Sequence, residues 1–268
     1  MNIHQLSPIN NNLAFGVNLH SPKLKFKRDD FFVKIHGYGR NTDWADIAME
    51  TADSAVNMVR KETPVESVLR FITAGIRRAN LTELNPLKRQ YTGLLRTPRE
   101  GWQSAPNEVF TEYINTARYR SYADRLNMTC IYPLNEIPNG VGISRPENFR
   151  EIAHGEKRYI NSSLDYVFKV FKKIMPKYVL KEIKPENLPD FNDAMAEMRW
   201  VLAHSTPWFR GSDAISNVFM RTIYKAAGVK CHPLKKGVSL DLEAYCTELK
   251  DYKQNFPNYF ENPPEVVE

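Results

Sequence analysis

The sequence predicts a mainly α-helical protein: a single globular helical domain with little β-sheet, built around a central helix-loop-helix at residues 190–228. Apolar residues recur at the three-and-four spacing of a helix along most of the chain, while runs that alternate apolar and polar residues are few and short. Composition agrees: 42% hydrophobic and 25% charged residues over 268 positions make a globular domain with room for a substantial core.

The central stretch is the clearest. Phe191, Ala194, Met195, Met198, Val201 and Leu202 place one apolar face on a first helix, and Ile215, Val218, Phe219, Thr222, Ile223 and Ala226 do so on a second. Pro207 ends the first helix, because a residue before proline is pushed out of the α region. Ser212 or Asp213 can cap the second, and Gly228 suits its end.

In chain order, residues 1–27 are polar and asparagine-rich, with Pro8 and Pro22, and predict a flexible leader. Phe31–His36 has the composition of a short strand ending at Gly37 and Gly39. A helix from Trp44 to Arg60 follows. Thr63-Pro64-Val65-Glu66 has the pattern of a capping box opening a helix whose buried face is Val65, Val68, Leu69, Ile72 and Ile76. Residues 85–104 predict irregular structure, 107–126 a helix, and 162–175 a helix packing Leu164, Val167, Phe168, Phe171 and Ile174. Prolines and glycines gather over 133–155, marking a sub-boundary within a domain spanning 28–256. A last helix is expected over 240–254, and residues 257–268 form an extended tail.

Charge and cysteine usage bound the function. A net charge of +6 and a pI near 9.1 allow weak attraction to nucleic acid, acidic lipid or phosphorylated molecules. The basic residues are spread out, and no zinc finger, RNP motif or long basic helix accompanies them, which argues against nucleic acid as the partner. No stretch has the length and apolarity of a transmembrane helix, and the N-terminus lacks the pattern of a cleaved secretory signal. Cys130, Cys231 and Cys246 show no paired spacing, as suits a reducing compartment. No His/Cys/carboxylate group has metal-ligand spacing.

The loop between the central helices, HSTPWFRGS, gathers the most useful chemistry. Arg210 offers a guanidinium, Ser212 a hydroxyl, and the backbone N–H groups of Gly211 to Ala214 further donors at a helix N-terminus, a combination suited to phosphate or carboxylate. His204 can act as a general base if it faces that anion. A structural reading stands beside this one: His204 capping its helix, Arg210 paired with a carboxylate, Trp208 in the core. The glycine turn His36-Gly37-Tyr38-Gly39-Arg40, the adjacent Cys231-His232 and the basic-aromatic run Arg118–Tyr122 are weaker candidates for phosphate, nucleophilic and single-stranded nucleic-acid chemistry.

With Pro207, Trp208 and Gly211 in register and a following helix that ends in a glycine, about thirty residues resemble the Fic (filamentation-induced-by-cAMP) family signature. The resemblance implies transfer of AMP to a hydroxyl of a target protein, with ATP and magnesium as cofactors, His204 as base, and Arg210, Gly211, Ser212 and Asp213 holding phosphate. The sequence departs from that signature at Arg210, which stands where the family has a metal-binding acid, and His204 lies two residues early. The leader is similar in composition to those of proteins exported by bacterial type III or related injection systems. These resemblances imply an effector or toxin that reaches the host cytosol without a cleaved signal and modifies a host protein. The alternatives are a non-catalytic effector or adaptor that binds a host protein, and a basic nucleic-acid-binding regulator; the alternative location is the bacterial cytoplasm.

Overall fold

A computed structural model of the chain describes residues 24–34, 40–96, 103–106, 145–148, 151–154, 157–181 and 183–267. Eight α-helices lie among them: α1 (Thr42–Arg60), α2 (Val65–Ala79), α3 (Pro86–Tyr91), α4 (Lys157–Ile174), α5 (Leu188–Ser205), α6 (Ser212–Ala226), α7 (Leu240–Cys246) and α8 (Leu249–Asn255). The strands are short. β1 (Gln103–Pro106), β3 (Glu151–His154) and β2 (Arg145–Asn148) pair antiparallel in that order, and β4 (Val229–Lys230) pairs antiparallel with β5 (Glu265–Val266).

The α5–α6 hairpin is the centre of the fold. Helix α6 packs against α1 and α2, while α5 packs against α4, α7 and α8. The hairpin is therefore covered on nearly every side, and its buried residues include polar ones that an amphipathic surface helix would turn outward: Asn192, Arg199, His204, Ser216, Asn217 and Arg221. Phe191 sits edge-on to Tyr178 and Tyr224, with ring centroids 5.6 and 5.4 Å away, and Phe171 stacks on Phe219 at 5.9 Å. The Tyr224 hydroxyl donates to Asn192 Oδ1 at 2.7 Å, so a phenol is buried with its polar end satisfied.

Small residues bring α1 close to its neighbours. Ala45, Ala48, Ala52 and Ala55 are fully buried along one face, and Gly75 of α2 lies so near Thr51 that a Cβ there would stand 2.3 Å from its side chain. At the far end of α6, Arg60 donates to the carbonyls of Ala226 and Lys225, supplying cationic donors where the helix leaves acceptors free.

Several boundaries differ from those expected. Helix α2 begins at Val65 with Pro64 at its N-cap, so the box expected at Thr63 does not form; the Thr63 N–H bonds instead to Met58 O. A 3₁₀ turn (Arg28–Phe31) takes the start of the expected strand at 31–36, residues 32–34 form no strand, and 35–36 lie outside those described. The irregular stretch after Asn85 contains α3, because Pro86 suits the first helical turn. Helix α4 starts earlier than expected and runs into a π turn (Met175–Val179): Pro176 has no N–H for the α ladder, and Leu180 N–H bonds to Met175 O. The single last helix is two, α7 and α8, broken at an extended Thr247 whose carbonyl accepts the buried indole N–H of Trp200 at 3.1 Å. The expected helix at 107–126 lies outside the described residues, and of the sub-boundary at 133–155 only β2 and β3 are described.

Phe191→Ala is expected to cost about 3–5 kcal/mol, the usual range for emptying a packed aromatic site, read as a lower urea midpoint with an unchanged m value.

Candidate functional site

Thr206 ends α5 in a left-handed conformation, φ 38°, with its N–H on Leu202 O. Pro207 then turns the chain, and Trp208 is buried. The Ser212 hydroxyl closes the loop on itself, accepting from Trp208 N–H at 3.2 Å and donating to Trp208 O at 3.1 Å. Gly211 is the N-cap of α6 at φ 84°, in place of the expected Ser212 or Asp213; a Cβ at Gly211 would also stand 2.9 Å from Thr92 Cγ2.

A second segment holds this loop. Residues 92–96 run beside 207–210: Arg96 N–H bonds to Pro207 O at 2.7 Å, Phe209 N–H to Leu94 O at 2.9 Å, and Gly93 N–H to Arg210 O at 3.2 Å. The Arg96 guanidinium adds bonds to the carbonyls of Thr206 and Trp208, both at 3.2 Å, and lies 5.2 Å from the centre of the Phe209 ring. Its pKa falls to about 10, through burial and then through the neighbouring charge of Arg210, opposed by Tyr245. Arg210 itself is half-buried, and its guanidinium makes no hydrogen bond or ion pair with a described residue.

His204 is buried, in an environment unlike that of an exposed base. Its Nδ1 lies 2.9 Å from Trp200 O, an arrangement in which Nδ1–H donates, and its ring lies 3.8 Å from Trp200 and edge-on to Tyr245 at 5.4 Å. Burial pushes its pKa down to about 3, against which the Trp200 carbonyl pulls it up. The imidazole is neutral at physiological pH.

Asp213 does not stand open to an anion either. It pairs with Arg199, which also donates to Asp241 Oδ1 at 2.5 Å, and it accepts from Asn217 Nδ2 at 3.2 Å. Arg199 is 1% exposed, and its Nε has no hydrogen-bond partner among the described residues. Asp213 and Asp241 each occupy the first turn of a helix, α6 and α7, so two carboxylates, one guanidinium and two positive helix ends converge. Burial and the charge of Asp241 push the Asp213 carboxyl up to about 7, against the opposing pull of Arg199.

The structure thus places all five expected residues on or beside one loop, but gives Ser212 and Asp213 internal partners and encloses His204 in the core. Arg199, Asp241 and Arg96 were not among the residues expected. Arg199 carried a signal, a charged residue set between Met198 and Trp200 where the helix turns almost wholly apolar; Asp241 and Arg96 carried none, because long-range packing creates their roles. Among the described residues no three His, Cys, Asp or Glu side chains cluster as a metal would need, and no helix is long and apolar enough to cross a membrane.

One comparison with known proteins concerns this part of the chain. Residues 141–263 match the family of avirulence proteins AvrB_AvrC. No curated protein matches the chain. The avirulence match overturns the resemblance to the Fic family: it takes in the whole of the central hairpin that carried the resemblance, together with Arg199, Asp213 and Asp241. Arg210 in the place of the Fic metal-binding acid, and His204 two residues early and buried, are the physical expression of the same difference. The coarser expectation, a bacterial virulence effector, fits the avirulence match.

His204 and Asp213 have opposite effects on stability as pH changes. His204 binds its proton more weakly folded than unfolded, so its contribution is present above pH 6.5 and is lost as pH falls toward about 3. Asp213 binds its proton more tightly folded, so its contribution is present below pH 3.8 and is lost as pH rises through about 7. Asp213→Asn is therefore expected to lose stability more steeply than the wild type on acidification from pH 7 to 4, and His204→Gln less steeply. Urea midpoints across that range check both; three parallel profiles would show that neither shift is real.

Proposed function

We propose that the chain is a virulence effector that enters a host cell and acts by engaging a host protein. The match of residues 141–263 to an avirulence protein family carries this reading. Residues 1–27 supply the export address, and no cleaved signal is needed. The state of the central loop supports binding over group transfer. His204 is a neutral core imidazole, Ser212 is bonded on both sides to Trp208, and Asp213 is tied to Arg199, so the groups a transfer reaction would draw on are committed to the fold.

A second reading, nucleotide-dependent transfer to a host protein, has one observation in its favour. Asp213 stands at a helix N-terminus with its carboxyl pushed up to about 7, where it can give or take a proton near neutral pH. Arg210 would then hold phosphate beside it.

Two measurements test these readings. A reporter enzyme active only in host cytosol, fused after residue 27, is expected to report entry from bacteria with a working injection system and none from bacteria lacking it; equal signals would remove the export role. Thermal melting with ATP, GTP, UTP and NAD, with and without magnesium, is expected to show no shift if the protein acts by binding. A ligand at ~100 times its dissociation constant adds about 2.7 kcal/mol, so a rise that Arg210→Ala abolishes would move the function to the transfer reading.

A further inference from the structure

Helix α4 and the turn that follows it present mostly one kind of side chain to solvent. Along residues 169–184 the described exposed positions fall at alternating steps of three and one, the spacing of a single helix face continued through the π turn. Phe171, Ile174, Tyr178 and Val179 lie between them and are buried in the core. Six of the exposed positions are lysines: Lys169, Lys172, Lys173, Lys177, Lys181 and Lys184. The other two are Pro176 and Leu180, and Leu180 keeps 40% exposure beside Lys181.

The charge on this face is left uncancelled. On α1, by contrast, Asp46 takes Arg28 at 2.6 Å, Glu50 takes Arg78 at 2.9 Å and Asp53 takes Lys225 at 2.5 Å. On the lysine face Lys172 pairs with Glu66 at 3.3 Å and Lys177 with Asp190 at 3.6 Å, while Lys169, Lys173, Lys181 and Lys184 have no carboxylate partner among the described residues. The arrangement costs the fold something. Lys169 stands three and four residues before Lys172 and Lys173, a spacing at which like charges repel and weaken a helix. The C-terminal dipole of α4 offsets that for Lys172 and Lys173, but Lys181 and Lys184 lie beyond the helix.

We propose that this face seats the protein on the cytoplasmic leaflet of a membrane, its lysines on anionic lipid headgroups and Leu180 entering the headgroup layer. The attachment is peripheral, with the lysine stems lying along the membrane and their charges in the headgroups. Lysines are point charges on flexible stems, which fit laterally mobile headgroups; a fixed carboxylate or phosphate is better gripped by the planar fork of arginine, which this face lacks. A single-stranded nucleic acid would need rings to stack on, and the rings here are turned inward: Phe171 stacks on Phe219 at 5.9 Å and Tyr178 sits edge-on to Phe191 at 5.6 Å. Only the identification of the membrane as the host's rests on the effector reading; the lipid chemistry rests on the face itself.

Flotation of the full chain with lipid vesicles tests this. At about 0.15 M salt, vesicles of equal parts phosphatidylcholine and phosphatidylserine are expected to carry the protein, phosphatidylcholine vesicles to leave it behind, and added salt to release it. A lysine near an anionic surface is worth about fivefold in partitioning, so Lys173→Glu combined with Lys181→Glu should weaken binding about a hundredfold or more, and Leu180→Ser less. Lys235→Glu with Lys236→Glu, an exposed pair on the turn after β4, changes the net charge equally and should weaken it far less. An unchanged melting temperature confirms that the variants fold; if charge reversal lowers it, Lys173→Gln with Lys181→Gln decides, with an expected loss of about 25-fold. No binding to the anionic vesicles, equal binding to both kinds, or equal loss in the two lysine pairs would each overturn the proposal. So would an oligonucleotide that displaces the protein from vesicles and whose own binding Lys173→Glu with Lys181→Glu abolishes, since the face would then belong to nucleic acid. Vesicle binding needs no host cell, so its failure leaves the effector reading standing, and failure of the reporter fusion leaves the lipid face standing.

Discussion

A guanidinium enclosed at 1% exposure determines how the central hairpin can be built. Arg199 cannot lose its proton, so the fold must bring negative charge to it, and it brings Asp213 from the start of α6 and Asp241 from the start of α7. The two ion pairs tie the starts of α6 and α7 to α5. Two carboxylates and one cation leave an excess negative charge, offset by the positive ends of two helices and by retention of a proton on Asp213. Removing Arg199 would leave both carboxylates without a counter-charge, which typically costs about 3–5 kcal/mol, whereas the intact cluster adds little net stability over a well-packed apolar core. The cluster therefore specifies one arrangement more than it strengthens it.

The same principle recurs with weaker partners. Arg60, Arg96 and Arg221 all aim their guanidiniums at backbone carbonyls that secondary structure leaves free: the end of α6, the loop after α5, and the turn at Cys231 and His232. Carbonyl dipoles satisfy the donors without cancelling the charge. Part of the excess positive charge thus has a structural origin.

How much of this was legible follows from what each signal depends on. The hairpin, its inward faces and the buried face of α2 were readable because helical periodicity is local, and every apolar residue named at 215–226 and at 65–76 is buried. The break between α7 and α8 was not, because it exists to offer Thr247 O to Trp200, a residue 47 positions away. The expected site was read from residue types that suit an anion, and types do not report partners. Asp213 looked like a cap and is half of an ion pair; Ser212 looked like a phosphate donor and bonds its own loop; His204 looked like a base and is held neutral by burial. Only packing distinguishes these outcomes, and packing is set by α4, α7 and residues 92–96, none adjacent to the loop in sequence.

The division of the chain at the avirulence match adds one more step. Residues 141–263 include the charged cluster and the hairpin, while α1, α2, α3 and the segment 92–96 lie before them. Yet α1 and α2 cover α6, and 92–96 braces the loop between α5 and α6, so the matched stretch cannot bury its own centre without the part that precedes it. The matched stretch supplies the hairpin and its internal charges. What faces outward over the loop is a composite: Phe209 and Arg210 from the matched stretch, Tyr91 from outside it. A surface assembled this way can change its chemistry through the preceding segment while the charged core stays as it is, because no described contact links Tyr91 to Arg199, Asp213 or Asp241.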